Sequence, residues 1–229
     1  MESSFFRFVN EQLYSTNSTD IELSTSKMEL YHQGYAAQCK LWKEDPLFII
    51  YKWLNKLFKG KQVVIVDIGA GEGILSKTLY HYGRLITELK CENSGKHFPI
   101  KPQFSAKIHA FDLYPINEFV QQSNAACLPL VNNCSHASVF CLSLMGTDYS
   151  KFLLEANRIV KMNGFIIIGE VQSRLVECKP AFIKACCALG WNLVKQLDES
   201  HFCIFLFQKK FTGKDIGFPK LLPCLYKKR

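Results

Sequence analysis

An α/β fold is predicted for this chain: an open, mostly parallel sheet with helices on both faces, closed by an antiparallel hairpin and preceded by a helical segment. Three observations predict it. Beyond residue 60, short apolar runs alternate with stretches of helical period, the pattern of parallel strands joined by crossover helices. Only Asp198-Glu199-Ser200-His201 separates the last two apolar runs, a hairpin length that requires an antiparallel partner. The chain has 229 residues and is 48% hydrophobic, enough for one sizeable α/β domain with an appendage.

Residues 1–60 read as helical. Phe5, Phe8, Val9 and Leu13, and later Ile49, Ile50, Trp53, Leu54, Leu57 and Phe58, recur at three- and four-residue steps, a stripe suited to core packing. Gly60-Lys61 breaks the pattern, and strands are expected at 63–68, 107–113, 138–142, 164–171, 191–197 and 202–208. Helices are expected over 72–82, 149–160 and 179–189. The polar stretch 83–106, punctuated by Gly and Pro and carrying Lys90, Lys96 and Lys101, reads as a surface insertion. The chain is thus divided into an N-terminal helical segment, 1–60, and an α/β domain, 61–229, whose basic ending PKLLPCLYKKR reads as a tail or docking segment.

The formal charge of +8, from 28 Lys+Arg against 20 Asp+Glu, favours a polyanionic partner without identifying one. Ten cysteines form no C-x-x-C pair, and Cys186 and Cys187 are adjacent. Metal-ligand spacing is absent, so no metal is expected. Most of these thiols lie in apolar runs, as small buried residues do in a reducing, intracellular compartment. The first residues carry charges without an apolar h-region, and no run approaches a membrane span. A soluble protein with no membrane partner is expected.

The first strand runs into VVIVDIGAGEGI, residues 63–74. A dinucleotide-binding turn would read G-x-G-x-x-G, whereas here Gly69, Gly71 and Gly73 alternate, Asp67 stands two residues before them, and Ile74 follows. Nicotinamide binding is therefore disfavoured. Ligands of open parallel sheets sit beyond the carboxyl ends of the strands, and glycines there let backbone approach a ligand and adopt positive φ. A methionine-derived cofactor has no pyrophosphate and needs no nucleotide-type spacing. Asp67 can orient the loop or reach a methionyl amine indirectly. Asp112, closing the next strand, can accept both ribose hydroxyls of an adenosine; the alternative is a turn cap. D-x-G-x-G-x-G followed by this Asp points to S-adenosylmethionine.

At the fourth strand, Phe140-Cys141-Leu142-Ser143-Leu144-Met145-Gly146 lacks the Asp/Asn-Pro-Pro-aromatic pattern of enzymes that methylate the exocyclic amine of adenine. Cytosine C5 chemistry needs a cysteine nucleophile, commonly after proline, and Pro223-Cys224 lies far along the chain.

Four blocks make the sequence recognisable: Phe6-Arg7-Phe8-Val9-Asn10-Glu11-Gln12-Leu13-Tyr14; Tyr31-His32-Gln33-Gly34-Tyr35 with Trp42; the run from Val139 through Met145-Gly146-Thr147 to Glu155-Ala156-Asn157-Arg158; and Glu170-Val171 with Ser173-Arg174. With Pro223-Cys224-Leu225-Tyr226-Lys227, they resemble the ribosomal-RNA-processing protein eight family, nucleolar methyltransferases that modify N1 of an adenine in large-subunit ribosomal RNA. The resemblance spans nearly the whole chain apart from 83–106. It implies a seven-stranded Rossmann-like methyltransferase sheet under an N-terminal helical lid, residence in the nucleus and nucleolus, and ribosomal RNA or the pre-ribosome as partner. Chromatin factors are a further implied partner.

By the same resemblance, Gly69 and Asp112 match cofactor contacts, Cys141 matches the strand-four position, and His32 matches a histidine in the lid. Asn124, before Ala125, replaces an Asp that accepts from the adenine amine, a role an amide oxygen can fill. His136 stands where an acidic residue commonly opens the strand. Adenine N1 carries a lone pair and no proton, so no general base is required and no catalytic base is assigned; positioning does the work. N1 lies on the Watson-Crick edge, so the adenine must be unpaired or flipped. Phe6, Arg7, Tyr31, Tyr35 and Arg174 are the candidate substrate contacts, each with a packing or ion-pairing role as its alternative. The competing functions are a small-molecule methyltransferase and a cofactor-binding adaptor in a silencing or pre-ribosome complex with little catalysis.

Overall fold

Alternating apolar segments fold into a seven-stranded sheet of order β3-β2-β1-β4-β5-β7-β6. The computed structural model describes residues 2–20, 22–86, 95–199 and 201–224. The strands are β1 (Gln62–Ile68), β2 (Ser105–Asp112), β3 (Gln121–Gln122), β4 (Ser135–Cys141), β5 (Val160–Val171), β6 (Trp191–Asp198) and β7 (Phe202–Lys209). The first five pair in parallel; β7 pairs antiparallel with both β5 and β6. The hairpin thus inserts its second strand into the sheet and leaves β6 at the edge. β3, two exposed glutamines, has no apolar period and was not among the expected strands.

Helices α1 (Glu2–Ser15), α2 (Thr25–Cys39) and α3 (Pro46–Leu57) precede β1; α4 (Ile74–His81), α5 (Tyr149–Ile159), α6 (Gln172–Leu175) and α7 (Lys179–Ala188) follow. α3 begins because Asp45 accepts the Leu47 N–H at 2.8 Å and Pro46 occupies the first turn. Its stripe Ile49, Ile50, Trp53 and Leu54 is buried with Val63, Ile65, Ile167 and Ile204 on one face of the sheet. Burying each such side chain contributes about 1.5–3 kcal/mol. Phe152, Phe182, Trp191 and Phe205 fill the opposite face.

α1 and α2 build a smaller cluster from Phe6, Val9, Leu13, Met28 and Tyr31, seated on Tyr114 and Met145 beyond the ends of β2 and β4. Phe8 is 59% exposed, so the buried stripe of α1 runs through Phe6 rather than Phe8, a correction to the expected one. The two helices approach closely at Gly34, where a Cβ would lie 2.7 Å from that of Phe6. Two clasps fix the pair. Ser18 donates its N–H and hydroxyl to Asp148, each at 2.9 Å, and Asn10 donates to the Cys224 carbonyl at 2.7 Å.

The segment after α4 is partly packed: Phe98 and Phe104 are buried, and β2 already begins at Ser105. Lys90 lies outside the described residues. The basic ending, described as far as residue 224, is also tied down. Tyr149 donates to the Pro219 carbonyl, and Leu222 exchanges hydrogen bonds with Arg174.

Candidate active site

β1 lies between β2 and β4, so the connection from β1 to β2 and the crossover from β3 to β4 run in opposite directions across the sheet. A crevice opens at the carboxyl edge, as it does wherever strand order reverses in an open α/β sheet. The turn after β1 is shaped by left-handed glycines: Gly69, Gly71 and Gly73 have φ of 70°, 54° and 68°. Gly69 and Ala70 donate their N–H groups to the Phe111 carbonyl at 2.8 and 2.9 Å, fastening the turn to β2. A Cβ on Gly69 would stand 2.3 Å from that of Ser143, whose hydroxyl donates to the Ile68 carbonyl at 2.6 Å. The β4 exit therefore closes on this turn, aided by Leu142 at φ 57°.

Asp112 accepts the Gly71 N–H at 2.9 Å through Oδ2 and the Tyr114 N–H at 3.0 Å through Oδ1. A carboxylate offers about four acceptor sites, so one lone pair on each oxygen remains for a ligand hydroxyl. Asp67 is 2% exposed, and its Oδ2 has no hydrogen-bond partner. Burial, and then the charge of Asp112, push its carboxyl up to about 7. A buried acceptor without a donor costs free energy, and an ammonium group would relieve that cost.

α2 roofs the crevice. His32 is buried, stands beside Gly71, and leaves Nε2 without a partner. Burial lowers its pKa despite the opposing influence of Asp112 and Glu72, so the ring is neutral. Burial also pushes the Cys141 thiol well up, which keeps it a neutral, weakly polar wall.

One cavity gathers His32, Asp67, Gly69, Gly71, Asp112, Asn124, Ala125 and Cys141, together with Tyr31. All eight cofactor candidates therefore line the same space. Ala70, Leu142, Met145 and other apolar groups form much of the remaining wall. Paired acceptors at Asp112, an orphaned carboxylate and a glycine cradle that side chains would fill suit a ligand carrying a ribose diol and an ammonium group.

The substrate candidates fare differently. Arg174 is 1% exposed and pairs with Glu170 at 2.5 Å, its guanidinium 4.3 Å from the Tyr14 ring centroid. Its Nε donates to the Leu222 carbonyl at 2.9 Å. The expected RNA contact at Arg174 is therefore corrected to a buried ion pair, since every face of the fork is covered. Tyr31 stacks on Phe6 with centroids 5.3 Å apart, and Tyr35 meets Trp42 edge-on. Neither Phe6 nor Tyr31 is an open platform for a base; both are buried. Arg7 is half-buried on α1 and does not line the cavity.

A family described as "hypothetical methyltransferase" matches residues 1–89 and 81–229 of this chain. Ribosomal RNA-processing protein 8 of Drosophila melanogaster is 33% identical over 98% of the chain and 57% of its own length. The protein of that name from Arabidopsis thaliana is 30% identical over 98% of the chain and 74% of its own length. The chain belongs to the ribosomal RNA-processing protein 8 family. A Schizosaccharomyces pombe relative named 25S rRNA (adenine(645)-N(1))-methyltransferase is 31% identical over 100% of the chain and 70% of its own length. The chain spans about three-fifths of the Drosophila and Caenorhabditis elegans relatives it matches.

Solved structures place the ribosomal RNA-processing protein 8 fold among methyltransferases. The Burkholderia thailandensis 1,6-didemethyltoxoflavin-N1-methyltransferase superposes with a TM-score of 0.52 at 12% identity, covering 83% of this chain and 92% of that one. A methyltransferase from Aquifex aeolicus gives 0.50 at 14%, covering 82% and 100%.

Two departures from the ribosomal RNA-processing protein 8 pattern have local explanations. Asn124 Oδ1 accepts the Ala126 N–H at 2.8 Å, which turns the chain and leaves the second lone pair of that oxygen available. His136 sits where the β4–β5 register shifts, and its Nδ1 accepts the Val64 N–H at 2.9 Å, serving a strand donor. Sequence reasoning missed Glu72 and Asp45 as cavity residues. Ser143 had a legible signal, since it follows strand four in the FCLSLMG block; its approach to Gly69 depends on the sheet.

Proposed function

We propose that this chain binds S-adenosylmethionine and methylates N1 of an unpaired adenine in large-subunit ribosomal RNA, in the nucleolus during ribosome assembly. The observation that carries the reading is the gathering of Asp67, Gly69, Gly71 and Asp112 in one cavity roofed by α2. The match over the whole of this chain to a relative named for that reaction, 70% of whose length is covered, supports adenine N1 as the acceptor.

When bound, the cofactor supplies an electrophilic methyl group. Asp112 would hold the ribose hydroxyls with its two free lone pairs. Asp67 would take the methionyl ammonium, which favours the ionised carboxylate that burial disfavours. Asn124 and Ala125 would border the adenine ring, and the bare backbone at Gly69 and Gly71 lets the ligand sit close to the turn. His32 has no proton to remove from adenine N1, so its neutral ring orients cofactor or base. Apolar walls at Leu142 and Met145 exclude water, and α1 and α2 form the lid.

Calorimetric titration of S-adenosylmethionine, followed in the same preparation by transfer to unmodified large-subunit ribosomal RNA with mass-spectrometric mapping, tests the reading. The expected product nucleoside is 1-methyladenosine. Binding without transfer would instead favour an adaptor for chromatin or pre-ribosome factors. Absence of binding would overturn the cofactor assignment.

A further inference from the structure

A second concavity lies at the opposite, amino-terminal edge of the sheet, lined by Lys61, Gln62, His136, Lys161, Asn163 and apolar neighbours. Lys59 and Lys61 precede β1, Lys107 lies early in β2, Lys161 is the second residue of β5 and Lys210 follows β7, so five lysines belong to this edge. The segments that form it, 56–64, 101–110, 131–137, 160–166 and 207–214, contain no Asp or Glu. Among the described residues none of these five lysines pairs with a carboxylate.

One detail within this edge calls for an anion. His136 Nδ1 accepts the Val64 N–H at 2.9 Å, so the ring proton of the neutral imidazole must sit on Nε2. Lys161 Nζ stands 3.3 Å from that same Nε2. An ammonium group has only donors to offer. Two donors therefore face each other with no acceptor between them, at the rim of a concavity. Burial and the charge of Lys161 lower the His136 pKa, in keeping with a neutral ring. A phosphate oxygen placed across Lys161 and His136 would accept from both.

We propose that this edge is a second RNA contact, at which Lys61 and Lys161, with His136, grip backbone phosphates of the RNA whose adenine enters the cavity at the other end of the strands. The inference rests on the RNA-substrate reading. Strands of seven residues at about 3.3 Å each set the two contacts roughly 20 Å apart, a span that folded RNA bridges and a free nucleotide does not. Phosphate contacts carry no sequence information; they fix register and add a salt-dependent share of affinity.

Fluorescence anisotropy of a labelled fragment of large-subunit ribosomal RNA, titrated at several salt concentrations, tests this with the full chain. Lys61→Gln/Lys161→Gln is compared with Lys184→Gln, a charge control on the exposed face of α7. The double variant is expected to bind RNA about tenfold more weakly and to lose about 1.4 from the slope of log affinity against log salt, the share of two single-strand phosphates. Lys184→Gln should leave that slope unchanged, and calorimetric affinity for S-adenosylmethionine should be the same in all three. Wild-type binding with the same slope in the double variant would overturn the inference, as would failure of the wild type to bind RNA. A reduced slope in a protein that makes no 1-methyladenosine would uphold the contact and discard the acceptor assignment.

Discussion

Gly71 donates its backbone N–H to the Asp112 carboxylate at 2.9 Å, so the loop that leaves one strand is fastened to the end of the next. The same carboxylate is proposed to hold the ligand diol, which couples the shape of the turn to its occupancy. Asp112→Ala is expected to weaken S-adenosylmethionine binding at least about 100-fold, because it removes charge-assisted hydrogen bonds worth about 1.5–3 kcal/mol each. Titration calorimetry reads the change. Unaltered affinity would place the cofactor elsewhere.

Gly69 combines a φ of 70° with the Ser143 Cβ 2.3 Å from the position its own Cβ would take. Gly69→Ala should therefore cost about 2–4 kcal/mol from left-handed strain and overpacking. Adding Ser143→Gly should recover the overpacking part and leave the strain. Urea unfolding midpoints of the single and double variants check this; equal losses in both would show that Ser143 is not the obstacle.

The Asp67 carboxyl, pushed up to about 7 by burial and by Asp112, gives two pH dependences of opposite sign. In the free protein the protonated form is the one folding favours, so this group's contribution to stability is present at acidic pH and is lost as pH rises toward 7. Cofactor affinity should run the other way, rising about tenfold from about pH 6 to about pH 8 as the carboxylate becomes available to the ammonium. Burial lowers the pKa of His32 as well, against the opposing charges of Asp112 and Glu72. Thermal unfolding and calorimetry at the two pH values test both, and Asp67→Asn should flatten each. A flat profile in the wild type would contradict the assignment.

Arg174 and Glu170 form a buried pair at 2.5 Å beneath Tyr14. Arg174→Ala is expected to destabilise the fold by about 3–5 kcal/mol through the unpaired carboxylate left behind. Arg174→Met/Glu170→Met should lose much less, since no charge then remains buried. Denaturant unfolding of the two variants decides; equal losses would mean that packing, rather than charge, sets the cost.

The strands around the site were legible because each is an apolar run of strand length, and DIGAGEG announces a backbone-lined turn in its residues. Asp112 was legible as the acid that ends a strand. β3 was not, because Gln121 and Gln122 are exposed and pair only over two residues. The start of β5 was hidden too: the helix was expected to run through residue 160 and the strand to begin only at Gly164, yet Val160 pairs with Ser135 and Asn163 takes the left-handed conformation. The roles of Arg174, Ser143 and the Asp148 clasp depend on partners remote along the chain: Leu222, Gly69 and Ser18. No local pattern encodes such distances. For Arg174, a neighbouring Glu170 four residues earlier was the available clue to ion pairing.

The hydrogen bond from Asn10 to the Cys224 carbonyl joins residues 214 positions apart. At translation rates of about 5–20 residues per second, α1 leaves the ribosome roughly 10–40 s before its anchor exists. During that interval Phe6, Val9 and Leu13 lack one of the two clasps that hold their helix. The roof over the cavity is therefore secured only once Cys224 has emerged, and until then a growing chain cannot present a finished pocket to its ligand.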